Sequence, residues 1–104
     1  MSDDSPYGSA RLDPVIHPLP RLRLCAALAP LKWEEFQALR DMLEMSDSAL
    51  SKQLTTLADV GYVEQLRASP GGRSRVRVRL TSAGHRAFRQ HLAALTALAR
   101  TALE

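Results

Sequence analysis

Between Gln65 and Leu103 the chain carries eight arginines and no acidic residue: Arg67, Arg73, Arg75, Arg77, Arg79, Arg86, Arg89 and Arg100. Guanidinium groups gathered in this way grip phosphate, because each planar fork presents N–H donors that match phosphate oxygens. Arg75, Arg77 and Arg79 alternate strictly with Val76, Val78 and Leu80. One face of an extended segment is then basic and the other apolar. A second polar surface precedes this one. Leu50, Leu54 and Leu57 fall at i, i+4 and i+7, the inner face of a helix. The opposite side carries Ser48, Lys52, Thr55 and Asp59, flanked by Ser51 and Thr56. That side is short, polar and mostly uncharged, which suits entry into a nucleic-acid groove.

The chemistry expected of these residues is recognition of double-stranded DNA. Ser48, Ser51, Lys52 and Thr55 would reach base edges or phosphates in the major groove. Arg67, Arg73, Ser74, Arg75 and Arg77 would lie against backbone phosphates or in the minor groove. Asp59 confines close approach to the N-terminal half of the helix. Residues 47–60 contain no arginine or asparagine to read a base with two hydrogen bonds, and Gln53 points sideways. Affinity is therefore expected to rest on phosphates and to fall with salt. The rival reading is a domain of the same shape used for protein–protein contact. The acid-free arginine stretch favours DNA.

Other chemistries find little support. No nucleophile–base pair, phosphate-binding loop or pair of carboxylates is visible, so the chain is not read as an enzyme and no cofactor is expected. Gly71-Gly72 lacks the spacing of a nucleotide-binding motif and reads as a hairpin turn. Cys25 lies on an apolar stripe and reads as a small core residue rather than a redox sensor. His17, His85 and His91 are poorly spaced for a shared site, so no metal is expected. Of the three, His91 lies beside a suspected self-association seam, where its titration would make an interface sensitive to pH. Trp33 reads as a packing residue.

Positioning the two surfaces takes a small set of elements. Residues 1–12 are polar and read as a flexible N-terminal segment. A single domain is expected over 13–104. Pro18 and Pro20 suit a first helical turn, so helix 1 is expected from about His17 to Leu28, with Leu19, Leu22, Cys25, Ala26 and Ala29 as its apolar stripe. Helix 2 is expected from Trp33 to Leu43, with Glu34 and Glu35 in its first turn and Phe36, Leu39 and Leu43 buried. Glu44-Met45-Ser46 is the turn, and Ser46 caps helix 3 over 47–60. Gly61 closes that helix. Strands over 62–67 and 74–80 flank a hairpin tip at Pro70-Gly71-Gly72. Thr81 caps a last helix over about 82–103. Its heptad-like seam of Phe88, Leu92, Leu95, Ala99 and Ala102 is longer than a small core needs, and part of it is expected to face a partner chain. The fold class is mainly α with a small β-hairpin (α+β): a three-helix core, a wing and a C-terminal dimerisation helix.

Bulk properties agree. A chain of 104 residues, 45% hydrophobic and 24% charged, suits one globular domain. The net charge of +3 says little by itself, but eight of the fourteen basic residues sit in the acid-free stretch. Glu34, Glu35, Asp41 and Glu44 are expected to cluster on the first helix of the helix-turn-helix, helix 2. A field aimed at a polyanion has this asymmetry. One cysteine excludes an internal disulfide framework. No apolar run reaches membrane-spanning length, and the polar, acidic N-terminus lacks the layout of a signal peptide. No membrane partner is expected, and the protein is read as cytoplasmic.

From about Leu12 to Leu98 the chain resembles the winged helix-turn-helix transcriptional regulators of the MarR-like superfamily, in particular their short single-domain members. The segments that carry the resemblance are LDPVIHPLPRLRLCAALA, MSDSALSKQLTTLADVGYVE and GGRSRVRVRLTSAGHRAFRQHLAAL, ending in the run Leu80-Thr81-x-x-Gly84. The resemblance implies a homodimeric DNA-binding repressor or activator. Its recognition-helix positions fall on Ser48, Ser51, Lys52 and Thr55, and its wing arginine on Arg73 or Arg75. The acid that usually precedes that arginine is replaced here by Pro70-Gly71-Gly72. Dimerisation is implied for the N-terminal segment and the last helix. The helices that line the ligand pocket of longer relatives are not seen, so no small-molecule effector is implied.

Overall fold

The computed structural model describes residues 11–68 and 75–104. Among them the order is α1 (Leu19–Leu28), β1 (Glu34–Glu35), α2 (Phe36–Leu43), α3 (Asp47–Asp59), β2 (Val63–Ala68), β3 (Arg75–Leu80) and α4 (Ser82–Leu103). The expected class is observed, with a three-helix core, a wing and a long last helix. The hairpin tip expected at Pro70-Gly71-Gly72 lies outside the described residues.

The ends of the helices follow from local chemistry. Pro18 caps α1 and Pro20 sits in its first turn, where a missing N–H costs nothing. Glu44 takes a left-handed conformation (φ 53°) to end α2, and the chain turns into α3 within three residues. The Ser46 side chain then accepts the Ala49 N–H at 3.1 Å and satisfies one of the open donors of α3. At the other end of α3, the Gly61 N–H donates to Ala58 and the Tyr62 N–H to Leu57, both near 2.9 Å. This paired closure needs a left-handed residue, and Gly61 supplies it with φ 78°.

Two expectations are corrected. Glu34 and Glu35 do not begin α2. They form a short strand whose backbone pairs antiparallel with β3, Glu34 opposite Val78 and Glu35 opposite Arg77. The sheet therefore has three strands in the order β1-β3-β2. Opposite charges across the β1–β3 pair and the open edge of β3 outweigh the gain of one more helical turn. The second correction concerns α1. Its inner face is Leu24, Cys25 and Leu28, while Leu19 is 64% exposed and Ala26 faces outward. The helix packs on α2, α3 and β3, and its ten residues turn only one narrow stripe toward them.

The core is aliphatic. Leu24 and Leu28 of α1, Leu39 of α2, Leu50 and Leu57 of α3 and Val78 of β3 are fully buried. Ile16, from the segment before α1, and Phe88 of α4 close it on either side. Each such side chain contributes about 2 kcal/mol by leaving water. The buried leucines of α3 thus orient its polar face outward, and Val78 and Leu80 do the same for the arginines of β3.

Candidate nucleic-acid interface

Ser48, Ser51, Lys52 and Thr55 are all exposed on the side of α3 opposite its buried leucines. Ser46 Oγ lies 3.4 Å from Ser48 Oγ, so the cap also steadies the first residue of this face. Thr56 is spent differently. Its hydroxyl donates to the Lys52 carbonyl at 3.2 Å and the residue is half-buried. Gln53 points sideways, as its position on the helix requires. Its Oε1 accepts from Arg21 Nη1 at 2.9 Å, which ties α3 to α1. Arg40 of α2 holds Asp47 at 2.8 Å and Asp41 at 3.3 Å, bracing the turn between the two helices.

The wing sorts its arginines. Arg75, Arg77 and Arg79 share one face of β3. Arg79 is committed to that face: its Nε donates to Glu64 at 3.0 Å, and its guanidinium lies 5.1 Å from the centre of the Trp33 ring. Arg75 is 51% exposed and reaches Glu35 at 3.4 Å. This ion pair is exposed and weak, so the guanidinium is steadied rather than sequestered. Arg77 is exposed and makes no ion pair among the described residues. Arg67 pairs with Val76 in the β2–β3 register and so projects from the other face of the hairpin. The expected arginines therefore divide between two faces of the wing. Arg73 and Ser74, also expected here, lie outside the described residues.

Glu35 was not singled out by sequence as part of this site. Its sequence position predicts a carboxylate in the first turn of a helix, and only strand pairing brings it beside Arg75.

The remaining candidates are placed as follows. Cys25 is fully buried, and burial pushes its thiol up to about 12, so it is inert as a nucleophile. His17 and His91, read as too far apart in sequence to act together, meet at 3.4 Å. His85 stands apart from them on the first turn of α4. Among the described residues no cluster of three histidine, cysteine or acidic side chains could hold a metal. Of the expected seam, Phe88 is only 6% exposed and belongs to the core. The rest of the seam is open: Leu92 is 41% exposed, Leu95 is half-buried, and Ala99 and Ala102 are exposed. No described helix is long and apolar enough to cross a membrane.

Comparison with known proteins agrees with this geometry. An uncharacterized protein of Methanocaldococcus jannaschii is 29% identical over 72 residues, 69% of this chain and 78% of that one. The transcriptional regulator homologue from Pyrococcus horikoshii OT3 has a similar structure, with a TM-score of 0.79 at 21% identity over 84% of this chain and 86% of that one. The PcaV transcriptional regulator from Streptomyces coelicolor reaches 0.70 at 20% identity, covering 83% of this chain and 60% of its own. Both structures share the fold of this chain. The sequence matches the winged helix DNA-binding domain over residues 21–99, a DNA-binding rather than a catalytic family. With its capped α3, its three-stranded wing and that match, the chain belongs to the winged-helix DNA-binding domain family.

Proposed function

We propose that the protein is a homodimeric transcriptional regulator that binds double-stranded DNA with sequence preference. Ser48, Ser51, Lys52 and Thr55 of α3 enter the major groove. Arg67, Arg73, Ser74, Arg75 and Arg77 of the wing meet backbone phosphates or the minor groove, and the two faces of the wing suit contact with both walls of a groove. The observation that carries this reading is the exposure of Ser48, Ser51, Lys52 and Thr55 on α3 next to a wing whose Arg75 and Arg77 are exposed. Sequence preference is modest, because α3 offers no side chain that reads a base with two hydrogen bonds, and dimer spacing supplies the rest.

The dimer rests on the N-terminal segment and α4. Leu92, Leu98 and Leu103 of α4 are exposed, with Ala99 and Ala102, and so are Leu12 of the N-terminal segment and Leu19 at the start of α1. Exposed apolar side chains recurring along one projecting helix mark an association surface.

Fluorescence anisotropy with a random-sequence duplex at two salt concentrations tests the reading. Binding should weaken steeply as salt rises. Lys52→Ala and Arg77→Ala should each weaken it several-fold and lower the salt slope by about one. Absence of binding at low salt would sink the assignment and favour a protein partner. Unchanged affinity in both variants would remove those two residues from the interface.

A further inference from the structure

We propose that Asp13, His17 and His91 form a proton-sensitive latch that couples α4 to the recognition helix α3, so that acidification releases the latch and weakens DNA binding. The regulatory half rests on the DNA-binding reading above; the latch rests on hydrogen-bond geometry alone.

His91 is fully buried on the inner stripe of α4. The backbone N–H of Asp13 donates to its Nδ1 at 2.8 Å. A backbone N–H can only donate, so Nδ1 carries a lone pair and the single proton of the neutral ring sits on Nε2. That proton points at His17 Nδ1, 3.4 Å away, which accepts it. The two rings meet edge to face, their centres 5.3 Å apart. A further proton on His91 Nδ1 would oppose the Asp13 N–H, and one on His17 Nδ1 would oppose the His91 N–H. Either event breaks a hydrogen bond inside the fold. The same tautomer excludes a metal between the rings, since His91 Nε2 offers no lone pair.

Asp13 is the hub through which that loss would spread. Its carboxylate accepts from the Val15 N–H at 2.8 Å and from the Tyr62 hydroxyl at 2.6 Å. Tyr62 directly follows Gly61, the residue that ends α3. The Val15 carbonyl accepts from Arg21 Nε, and Arg21 Nη1 holds Gln53 on α3. Two short chains of hydrogen bonds therefore run from the histidine pair to α3, one to its flank and one to its C-terminal end.

The surroundings favour the neutral form of His91. Asp13 and His17 face His91 from the N-terminal segment. Around Asp13 lie Arg21 and Cys25 of α1 and the Tyr62 hydroxyl. β3, which packs on α4, buries Val78 and Leu80, and its Arg79 is held by Glu64 and Trp33 beside His85 on the first turn of α4. Burial lowers the affinity of His91 for a proton below the ordinary histidine value, His17 lowers it further, and the Asp13 carboxylate opposes both.

The test measures DNA anisotropy from about pH 7.5 to about pH 5.5 at constant ionic strength, beside an NMR titration of the histidine rings and the Asp13 amide. Affinity should fall on acidification, by up to about tenfold per pH unit once His91 titrates. Added positive charge alone would raise affinity for DNA, so the sign separates the two effects. His91→Asn keeps an acceptor for the Asp13 N–H and cannot take a proton; its affinity should lose the acid-induced fall. Should that variant not fold, His17→Ala at an exposed position should shift the midpoint. The Asp13 amide resonance should move together with the His91 ring. Affinity that stays level or rises with acid, an equal fall in His91→Asn, or an unmoved midpoint in His17→Ala would overturn the coupling. An Asp13 amide indifferent to the titration would overturn the latch. No binding at about pH 7.5 would overturn the DNA-binding reading and the regulatory half with it, leaving the latch to be decided by the NMR titration.

Discussion

The run Leu80-Thr81-x-x-Gly84 is a clamp between the end of α3 and the start of α4. Thr81 Oγ1 accepts the Gly84 N–H at 3.0 Å and donates to the Gly61 carbonyl at 2.6 Å. The Thr81 N–H donates to the Tyr62 carbonyl at 3.0 Å. Gly84 is buried because that same peptide lies against it. A Cβ added at Gly84 would come within 2.9 Å of the Tyr62 carbonyl carbon and closer still to its oxygen. Glycine to alanine in a helix ordinarily gains up to about 1 kcal/mol. Here overpacking against backbone outweighs that gain, and Gly84→Ala should destabilise the domain by about 2 kcal/mol, a drop of roughly 10 °C in Tm. Thermal unfolding followed by circular dichroism checks it; an unchanged or raised Tm would show that the contact yields.

At the level of elements, α4 serves two surfaces. Gly84, Phe88, His91 and Ala94 face the protein, whereas Leu92, Ala99 and Ala102 face out. The helix is about 33 Å long, and none of its residues beyond Ala94 is buried. A helix that projects this far with apolar side chains needs a second surface to cover them. If α4 carries the proposed dimer contact, Leu92→Glu with Leu95→Glu should lower the sedimentation coefficient to that of a monomer and leave the helix content intact. Analytical ultracentrifugation at micromolar concentration decides it, and a double variant that sediments like the parent would move the interface elsewhere. DNA affinity should fall in the same variant, because two linked domains gain from each other's binding.

Over the whole molecule, His91 links stability to pH. Its proton affinity in the folded state lies below the ordinary value of 6.5. The unfolded chain then binds a proton that the folded chain refuses. Stability should fall as pH drops below about 6.5 and level off below the folded value, with a slope of at most about 1.4 kcal/mol per pH unit for one proton. Cys25 and Tyr62 are both pushed up to about 12 and add nothing in this window. Urea unfolding at about pH 7.5 and about pH 5.5 measures the difference, and His91→Asn should reduce it. An equal difference in parent and variant would assign the effect to other groups.

What local rules govern, the sequence determines by itself. Ser46, Gly61 and Thr81 are legible as helix ends because caps depend on residues three or four apart. The buried faces of α3 and β3, and so the outward sides that carry Lys52 and the arginines, follow from periods of 3.6 and 2. The tertiary structure alone decides what depends on distant partners. Glu34 and Glu35 become a strand only because β3, more than forty positions on, presents an open edge. Which of Arg75, Arg77 and Arg79 is left outward depends on Glu64, Glu35 and Trp33. Phe88 belongs to the core rather than the seam because the two stripes on α4 diverge by one residue within a turn. His91 falls at i+7 from Gly84, a core spacing, yet a histidine there reads as surface until its partner is known. That partner, the Asp13 amide, lies 78 positions away, and no local pattern announces a contact closed over so long a loop.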